Sequence, residues 1–207
     1  MDKPETQLKG CLAILFVKAP REGTVKTRLA VNVGPAKACA IYQSLVEIAC
    51  RALAPFDHVE IRFTPDECGD EIQHWLRKHW QAKPQGEGNL GEKLQRAFTE
   101  GFENGSDKIV IIGSDCPAIT TQDISDAFTA LGGTQIVFGP ATDGGYWLIG
   151  LNQDYPALFD NVRWSTEQTL SDTISNVKKL ELKTSQLRLH SDIDTIEDWE
   201  DWSQTHQ

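Results

Sequence analysis

A short apolar run, Ile109-Val110-Ile111-Ile112, ends abruptly in Gly113-Ser114-Asp115-Cys116-Pro117. No other stretch constrains the fold as strongly. The β-branched run reads as a buried strand in the centre of a sheet. Gly113 permits a sharp exit, and Pro117 stops any continuation of the strand. Asp115 is thereby presented at the carboxyl end of a central strand, where open α/β sheets bind ligands in a crevice. A carboxylate there suits a hard cation that bridges phosphates. A capping role for Asp115 is the weaker reading, because Thr120 and Thr121 are better placed to cap the next helix.

Hydrophobic periodicity sets this strand in an alternating chain. Residues 12–17 and 59–63 read as strands. Residues 35–53 read as a helix, with Ala38, Ile41, Tyr42, Leu45, Ile48, Ala49 and Ala52 at helical spacing and Pro35 in its first turn. Residues 66–80 and 90–102 read as further helices, and 125–131 lies in the helix after the Ile109 strand. Strands follow at 135–138 and 146–151, then a helix at 167–177, an extended stretch at 180–189 and a last helix at 195–202. The early β-α-β-α order predicts a mostly parallel sheet with helices on both faces. The close strand pair around Gly144-Gly145 predicts an antiparallel element added late. Residues 1–9 read as a loose tail and 10–207 as a single domain, long enough for a sizeable core.

Charge narrows the partners. A formal net charge of −10 disfavours nucleic acid and anionic membrane surfaces. The five cysteines are odd in number and form no CxxC pair, which argues against a disulfide framework or a zinc site and for a reducing compartment. The first apolar run is too short for a signal-peptide core or a membrane span. These features predict a cytoplasmic protein acting on small molecules.

Against this acidic background, Lys18-Ala19-Pro20-Arg21-Glu22-Gly23-Thr24-Val25-Lys26-Thr27-Arg28 concentrates four cations in eleven residues. The loop follows the first strand, at the edge where doubly wound folds bind phosphates. Gly23 permits close backbone approach, and Lys26 with Arg28 can clamp a pyrophosphate, Arg28 bidentately. The spacing is neither a Walker A loop nor GxGxxG. A solvated basic turn is the bland alternative.

Three further constellations carry candidate chemistry. Gln85-Gly86-Glu87-Gly88-Asn89 can wrap a base or ribose; a flexible connector with a capping Asn89 is an equally good reading. Asp143-Gly144-Gly145-Tyr146-Trp147 joins a carboxylate to two aromatics, so Asp143 can bind a sugar hydroxyl or act as general base. The alternative there is a Gly-Gly turn whose Asp satisfies backbone N–H groups. Asp192-Ile193-Asp194 places two carboxylates on one side of an extended segment. Asp194 or Thr195 can cap the last helix, leaving another carboxylate to complete a Mg²⁺ or Mn²⁺ site with Asp115. The histidines show no metal spacing, and Cys116 reads as a buried thiol.

In this order, the basic loop, Gln-Gly-x-Gly-Asn-Leu-Gly-Glu, Gly-Ser-Asp-Cys-Pro and Gly-Pro-x-x-Asp-Gly-Gly-Tyr-Trp-Leu-Ile-Gly-Leu resemble a family of small bacterial glycosyltransferase-A-like proteins with an arsenosugar-biosynthesis branch. The wider superfamily is the nucleotide-diphospho-sugar transferases, which includes nucleotidyltransferases. The match runs through nearly the whole chain. It implies a three-layer α/β/α sandwich with a mostly parallel, mixed central sheet. It further implies that Lys18, Ala19, Pro20, Gly23, Lys26, Arg28, Gln85, Gly86 and Asn89 surround the nucleotide and its phosphates. Asp115 would hold the divalent metal with Asp192 or Asp194. Asp143, Gly144, Gly145, Tyr146, Trp147, Trp164, Ser165 and Thr166 would shape the sugar or acceptor pocket. Ile196 replaces the proline of the related Asp-x-Asp-Thr-Pro segment.

The function so implied is metal-dependent transfer of a sugar from a nucleotide-diphosphate sugar to a small acceptor. The rival is nucleotidyl transfer from a nucleoside triphosphate to a phosphorylated small molecule, with pyrophosphate leaving. From another class, a non-catalytic nucleotide-binding protein would keep the same fold.

Overall fold

The computed structural model describes residues 10–205, so the expected tail at 1–9 lies outside the described residues. The strands are β1 (Cys11–Lys18), β2 (Val59–Thr64), β3 (Gln81–Pro84), β4 (Lys108–Ile112), β5 (Ile136–Pro140), β6 (Tyr146–Leu151) and β7 (Thr184–Gln186). They form one mixed sheet in the order β3-β2-β1-β4-β6-β5-β7. Strands β3, β2, β1 and β4 run parallel, β6 runs antiparallel to β4 and β5, and β7 runs parallel to β5. The antiparallel strand expected late in the chain thus inserts beside β4. Its amino end lies at the edge where β1, β2 and β4 terminate.

The helices are α1 (Thr27–Val33), α2 (Pro35–Leu53), α3 (Leu90–Glu103), α4 (Thr121–Ala130), α5 (Thr169–Lys179) and α6 (Ile196–Thr205). Strand alternation divides the core between the faces of the sheet. Ala13, Leu15 and Val17 of β1 pack with the buried residues of α2 and α4. Ile14 packs with Leu94, Ala97 and Phe98 of α3 and Val177 of α5. This is a three-layer α/β/α arrangement. On the α3 face, Arg62 of β2 is fully buried and ion-paired to Glu60 and, at 2.7 Å, to Glu100.

Local chemistry fixes the helix starts. Asn89 accepts from the Glu92 backbone N–H while the Glu92 carboxylate accepts from the Asn89 N–H, a reciprocal capping box. Thr120 and Asp123 repeat it at α4, which leaves Asp115 free of any capping duty. At α6 the Asp198 carboxylate accepts from the Thr195 N–H, and Thr195 Oγ1 accepts from the Asp198 N–H. Thr195 is therefore the cap, and the Asp194 side chain is released toward the sheet edge.

Three expectations change. Residues 66–80 do not form one α-helix: a 3₁₀ turn spans Gly69–Trp75 and is followed by β3. The buried Ile72 and Trp75 lie three apart, a spacing that suits a three-residue period. His79, left-handed at φ 75°, then turns the chain into the strand. The second change is α1, which starts inside the basic loop immediately after Lys26 and buries Leu29. Of the stretch expected to be extended at 180–189, only Thr184–Gln186 pairs in the sheet.

Candidate active site

A pocket of about 660 Å³ opens at the carboxyl ends of β1, β2 and β4 and the amino end of β6. The chain reaches this edge from distant points, and backbone hydrogen bonds fix the meeting. His190 forms a parallel bridge with Ala141, and its carbonyl accepts from the Thr142 N–H at 3.0 Å. Three residues on, the Ile193 N–H donates to the Asp115 carbonyl at 3.0 Å. Ile193 itself is buried with Leu29, Ile41 and Leu45. Asp192 and Asp194 are thus brought beside Asp115 from the far end of the sequence.

Lys26 stands among these carboxylates. Its ammonium pairs with Asp115 and, at 3.4 Å, with Asp194, while Arg28 lies 3.6 Å from the other Asp194 oxygen. The Lys26 side chain is only 4 % exposed. Its backbone is left-handed, φ 48°, a conformation that costs a non-glycine residue about 1 kcal/mol. Residues held this way cluster at functional sites. Asp192 is the most perturbed acid of the pocket. Burial, reinforced by the nearby Asp115, Asp143 and Asp194 carboxylates, raises its pKa to about 7, with Lys26 opposing. One Asp192 oxygen is buried without a hydrogen-bond partner.

The other half of the pocket is built around Gly144. At φ 86° it carries a backbone that only glycine adopts easily, and a Cβ there would lie 2.1 Å from the Glu167 carbonyl oxygen. The absence of a side chain lets Ser165, Thr166 and Glu167 close against the β5–β6 turn and line the pocket. Asp143 accepts from the Gly145 N–H at 2.8 Å, so it satisfies the turn and also faces the pocket.

Of the residues expected in the site, Lys18, Lys26, Arg28, Gln85, Asp115, Asp143, Gly145, Tyr146, Trp147, Ser165, Thr166, Asp192 and Asp194 line this one pocket. The others stand outside its lining, each with a visible structural task. Ala19 is buried, its N–H bonded to the Thr64 carbonyl, and the Pro20 carbonyl accepts from Cys39 Sγ. Gly23 sits at an open left-handed turn. Gly86 makes room for Arg96, whose guanidinium donates to the Gln85 and Glu87 carbonyls. Asn89 caps α3. Trp164 is half-buried and packs over Gly91 and against Phe159, at the margin of the core on the α3 face. Trp147 lines the pocket but is 2 % exposed and donates its indole N–H to the Arg188 carbonyl, so it offers no free ring for a sugar to stack on. Arg21, the fourth cation of the loop, is spent on Glu71 and Glu67.

Several lining residues were not singled out in the sequence. Tyr42 reads there only as a helix core position. Its hydroxyl accepts from the Lys18 N–H at 2.6 Å and donates to the Lys18 carbonyl at 3.1 Å, pinning the end of β1. Lys93 lines the pocket one turn into α3, near Thr64 Oγ1. Its place after the glycine-rich loop was the available signal.

The donor set fits a hard divalent cation. Asp115, Asp192 and Asp194 offer carboxylate oxygens, and the buried, unpartnered Asp192 oxygen is poised for a positive ligand. Among the described residues, no three metal-ligating side chains form a ready-made cage. Magnesium-type sites need only one or two carboxylates when substrate phosphates and water complete the shell.

Residues 48–166 match the family described as uncharacterized protein conserved in bacteria (DUF2064). A protein from Desulfovibrio desulfuricans G20, provisionally assigned as a nucleotide-diphospho-sugar transferase, is 31% identical and superposes with a TM-score of 0.89, covering 96% of this chain and 88% of its own. More distant structures share the fold. One is a CMP:2-keto-3-deoxy-manno-octonic acid synthetase complexed with CTP, at TM-score 0.57 and 9% identity over 94% of this chain and 97% of that one. Another is Rv0371c of Mycobacterium tuberculosis H37Rv in complex with manganese, at TM-score 0.53 and 12% identity over 92% of this chain and 96% of that one. No curated protein matches the chain. The chain belongs to the DUF2064 family.

Proposed function

We propose that this DUF2064 protein is a metal-dependent glycosyltransferase that moves a sugar from a nucleoside diphosphate to a hydroxyl of a small acceptor. One observation carries the reading. At the carboxyl edge of the sheet, Lys26 and Arg28 share one pocket with Asp115, Asp192 and Asp194. Cations from the loop after β1 suit a diphosphate, and the carboxylates suit the cation that accompanies it. The 31% identical relative assigned as a nucleotide-diphospho-sugar transferase supports it. The finer placement in an arsenosugar-biosynthesis branch rests on the sequence motifs and belongs to this proposal.

Held by Asp115 with Asp192 or Asp194, Mg²⁺ or Mn²⁺ would supply Lewis-acid stabilisation to the departing diphosphate. The chain's own cations add to it: Arg28 binds phosphate oxygens bidentately, and Lys26 neutralises charge that grows as the sugar leaves. Gln85 and Lys93 flank the nucleotide end, and Tyr42 fixes the backbone there. Asp143 orients the acceptor hydroxyl and, in an inverting transfer, accepts its proton.

The acceptor half favours sugar transfer over the rival nucleotidyl transfer to a phosphorylated molecule. Asp143, Glu167, Ser165, Thr166 and Thr169 line that half, and the nearby Arg163 is locked to Asp172 by contacts of 2.8 Å. A phosphorylated acceptor would meet carboxylates and no spare guanidinium. The nucleotidyl reading keeps one supporting observation, since Lys18 and Lys93 also line the pocket and would extend the cationic wall to a triphosphate. Cys39, Cys50, Cys68 and Cys116 are free and buried among the described residues, which accords with a reducing, cytoplasmic setting.

Calorimetric titration with nucleoside diphosphates, with and without Mn²⁺, tests the phosphate assignment. Arg28→Ala weakens metal-dependent binding about tenfold. An unchanged affinity would remove the loop from the site.

A further inference from the structure

Lys26 is buried where its partners are open. Its side chain is 4 % exposed, against 45% for Asp115 and 42% for Asp194. The left-handed backbone at Lys26 accompanies this inward placement. The ammonium contacts both acids, and the pocket they share also receives Asp192, one of whose oxygens is buried and unpartnered. Among the described residues the acids form no ready metal cage. Two of these acids, Asp115 and Asp194, instead pair with a cation that the chain itself provides.

We propose that Lys26 is a built-in competitor for the divalent cation: its ammonium holds Asp115 and Asp194 until the diphosphate of a nucleotide draws it away, so metal and nucleotide are taken up as a pair. The inference rests on the proposed function for the identity of the anion. Physically, one ammonium cannot serve the carboxylates and the phosphates at full strength together. The phosphates compete for Lys26 and leave the acids short of positive charge, which the metal then supplies. Linkage makes the effect reciprocal: whatever factor the nucleotide adds to metal affinity, the metal adds to nucleotide affinity. Arg28 provides the internal comparison. It carries the same charge near the same Asp194, yet its side chain is 79% exposed and stands 3.6 Å off. Water and salt screen it, and it does not sit between the acids.

The test is Mn²⁺ binding to the full chain without nucleotide, read from the electron paramagnetic resonance signal of free Mn²⁺. Wild type, Lys26→Met and Arg28→Met are compared. Lys26→Met binds Mn²⁺ at least tenfold more tightly than wild type, and Arg28→Met stays within threefold of wild type. A Lys26→Met affinity equal to or below wild type would overturn the proposal. So would an equal gain in Arg28→Met, which would reduce the effect to net charge. Lys26→Gln, uncharged but still able to donate a hydrogen bond to Asp115, repeats the comparison should the methionine variant fold poorly. Nucleotide sugars added to the Mn²⁺-loaded protein separate the two claims. Failure of every nucleotide to bind contradicts the glycosyltransferase reading and leaves the metal competition standing on its own titration.

Discussion

Asp192 is an acid whose ordinary chemistry has been displaced by its surroundings. Burial beside Asp115, Asp143 and Asp194 holds its pKa near 7, with only Lys26 opposing. Because the folded pKa lies above the unfolded one, the folded chain retains a proton that the unfolded chain releases. The resulting contribution to stability is complete below pH 4 and is lost as pH rises to about 7, a difference on the order of a few kcal/mol. Asp192→Asn therefore raises the thermal midpoint of metal-free protein, and the gain grows between pH 5 and pH 8. Unfolding scans in a chelator check this, and a pH-independent difference would contradict it. Asp115 makes a different prediction. It lies in a loop at a strand end, and its side chain is 45% exposed. Asp115→Ala lowers metal-dependent turnover at least ~100-fold while circular dichroism stays native; global unfolding would undermine the assignment. Asp115 and Lys26 were legible in the sequence because each follows a strand whose apolar run announces it. For Asn89 the sequence left capping and nucleotide binding equally open, and Gly86 and Trp164 stand outside the pocket lining; a glycine-rich loop and a tryptophan look alike whether they meet a ligand or their own fold.

Among the elements, the turn between β5 and β6 and the loop before α5 act together. Gly144 is their contact point, packed on the Glu167 backbone. Gly144→Ala forces a methyl into a carbonyl at a left-handed position, and we expect a loss of about 1–3 kcal/mol, seen as a lower urea midpoint. Lost acceptor-dependent turnover should accompany it, since Asp143 and Thr166 are positioned through this contact. A neutral substitution would mean the two loops are not held as described. Trp164→Ala distinguishes a packing role from the expected place in the acceptor pocket. Trp164 packs on Gly91 of α3, so truncation costs about 2–3 kcal/mol of stability and leaves the acceptor KM near wild type. A raised KM with unchanged stability would return Trp164 to the acceptor pocket. Elements with one clear period were readable: the helix over Pro35–Leu53 and the strand over Tyr146–Leu151 have the bounds that periodicity gave. Residues 66–80 were not, because Ile72, Trp75 and Trp80 suit either a helix or a tight turn followed by an edge strand.

At the scale of the molecule, an acidic chain concentrates most of its interesting positive charge in one place. Net charge is −10, yet Lys18, Lys26, Arg28 and Lys93 line a single pocket. The three-layer fold was legible because alternation of strands and helices leaves few ways to bury both faces of a sheet. The meeting of Asp115 with Asp192 and Asp194 was implied by the family resemblance and not by any local pattern. It depends on β6 inserting beside β4 and on Ile193 anchoring a C-terminal segment to the Asp115 backbone, long-range facts that no local pattern encodes. A leaving-group assay puts this geometry to the test. The protein is incubated with Mn²⁺ against pooled nucleotide sugars and, separately, pooled nucleoside triphosphates, and released nucleoside diphosphate and pyrophosphate are read side by side. A glycosyltransferase of this kind releases nucleoside diphosphate from a nucleotide sugar, dependent on metal and lost in Asp115→Ala. Pyrophosphate from a triphosphate, with no diphosphate from any sugar donor, would contradict it.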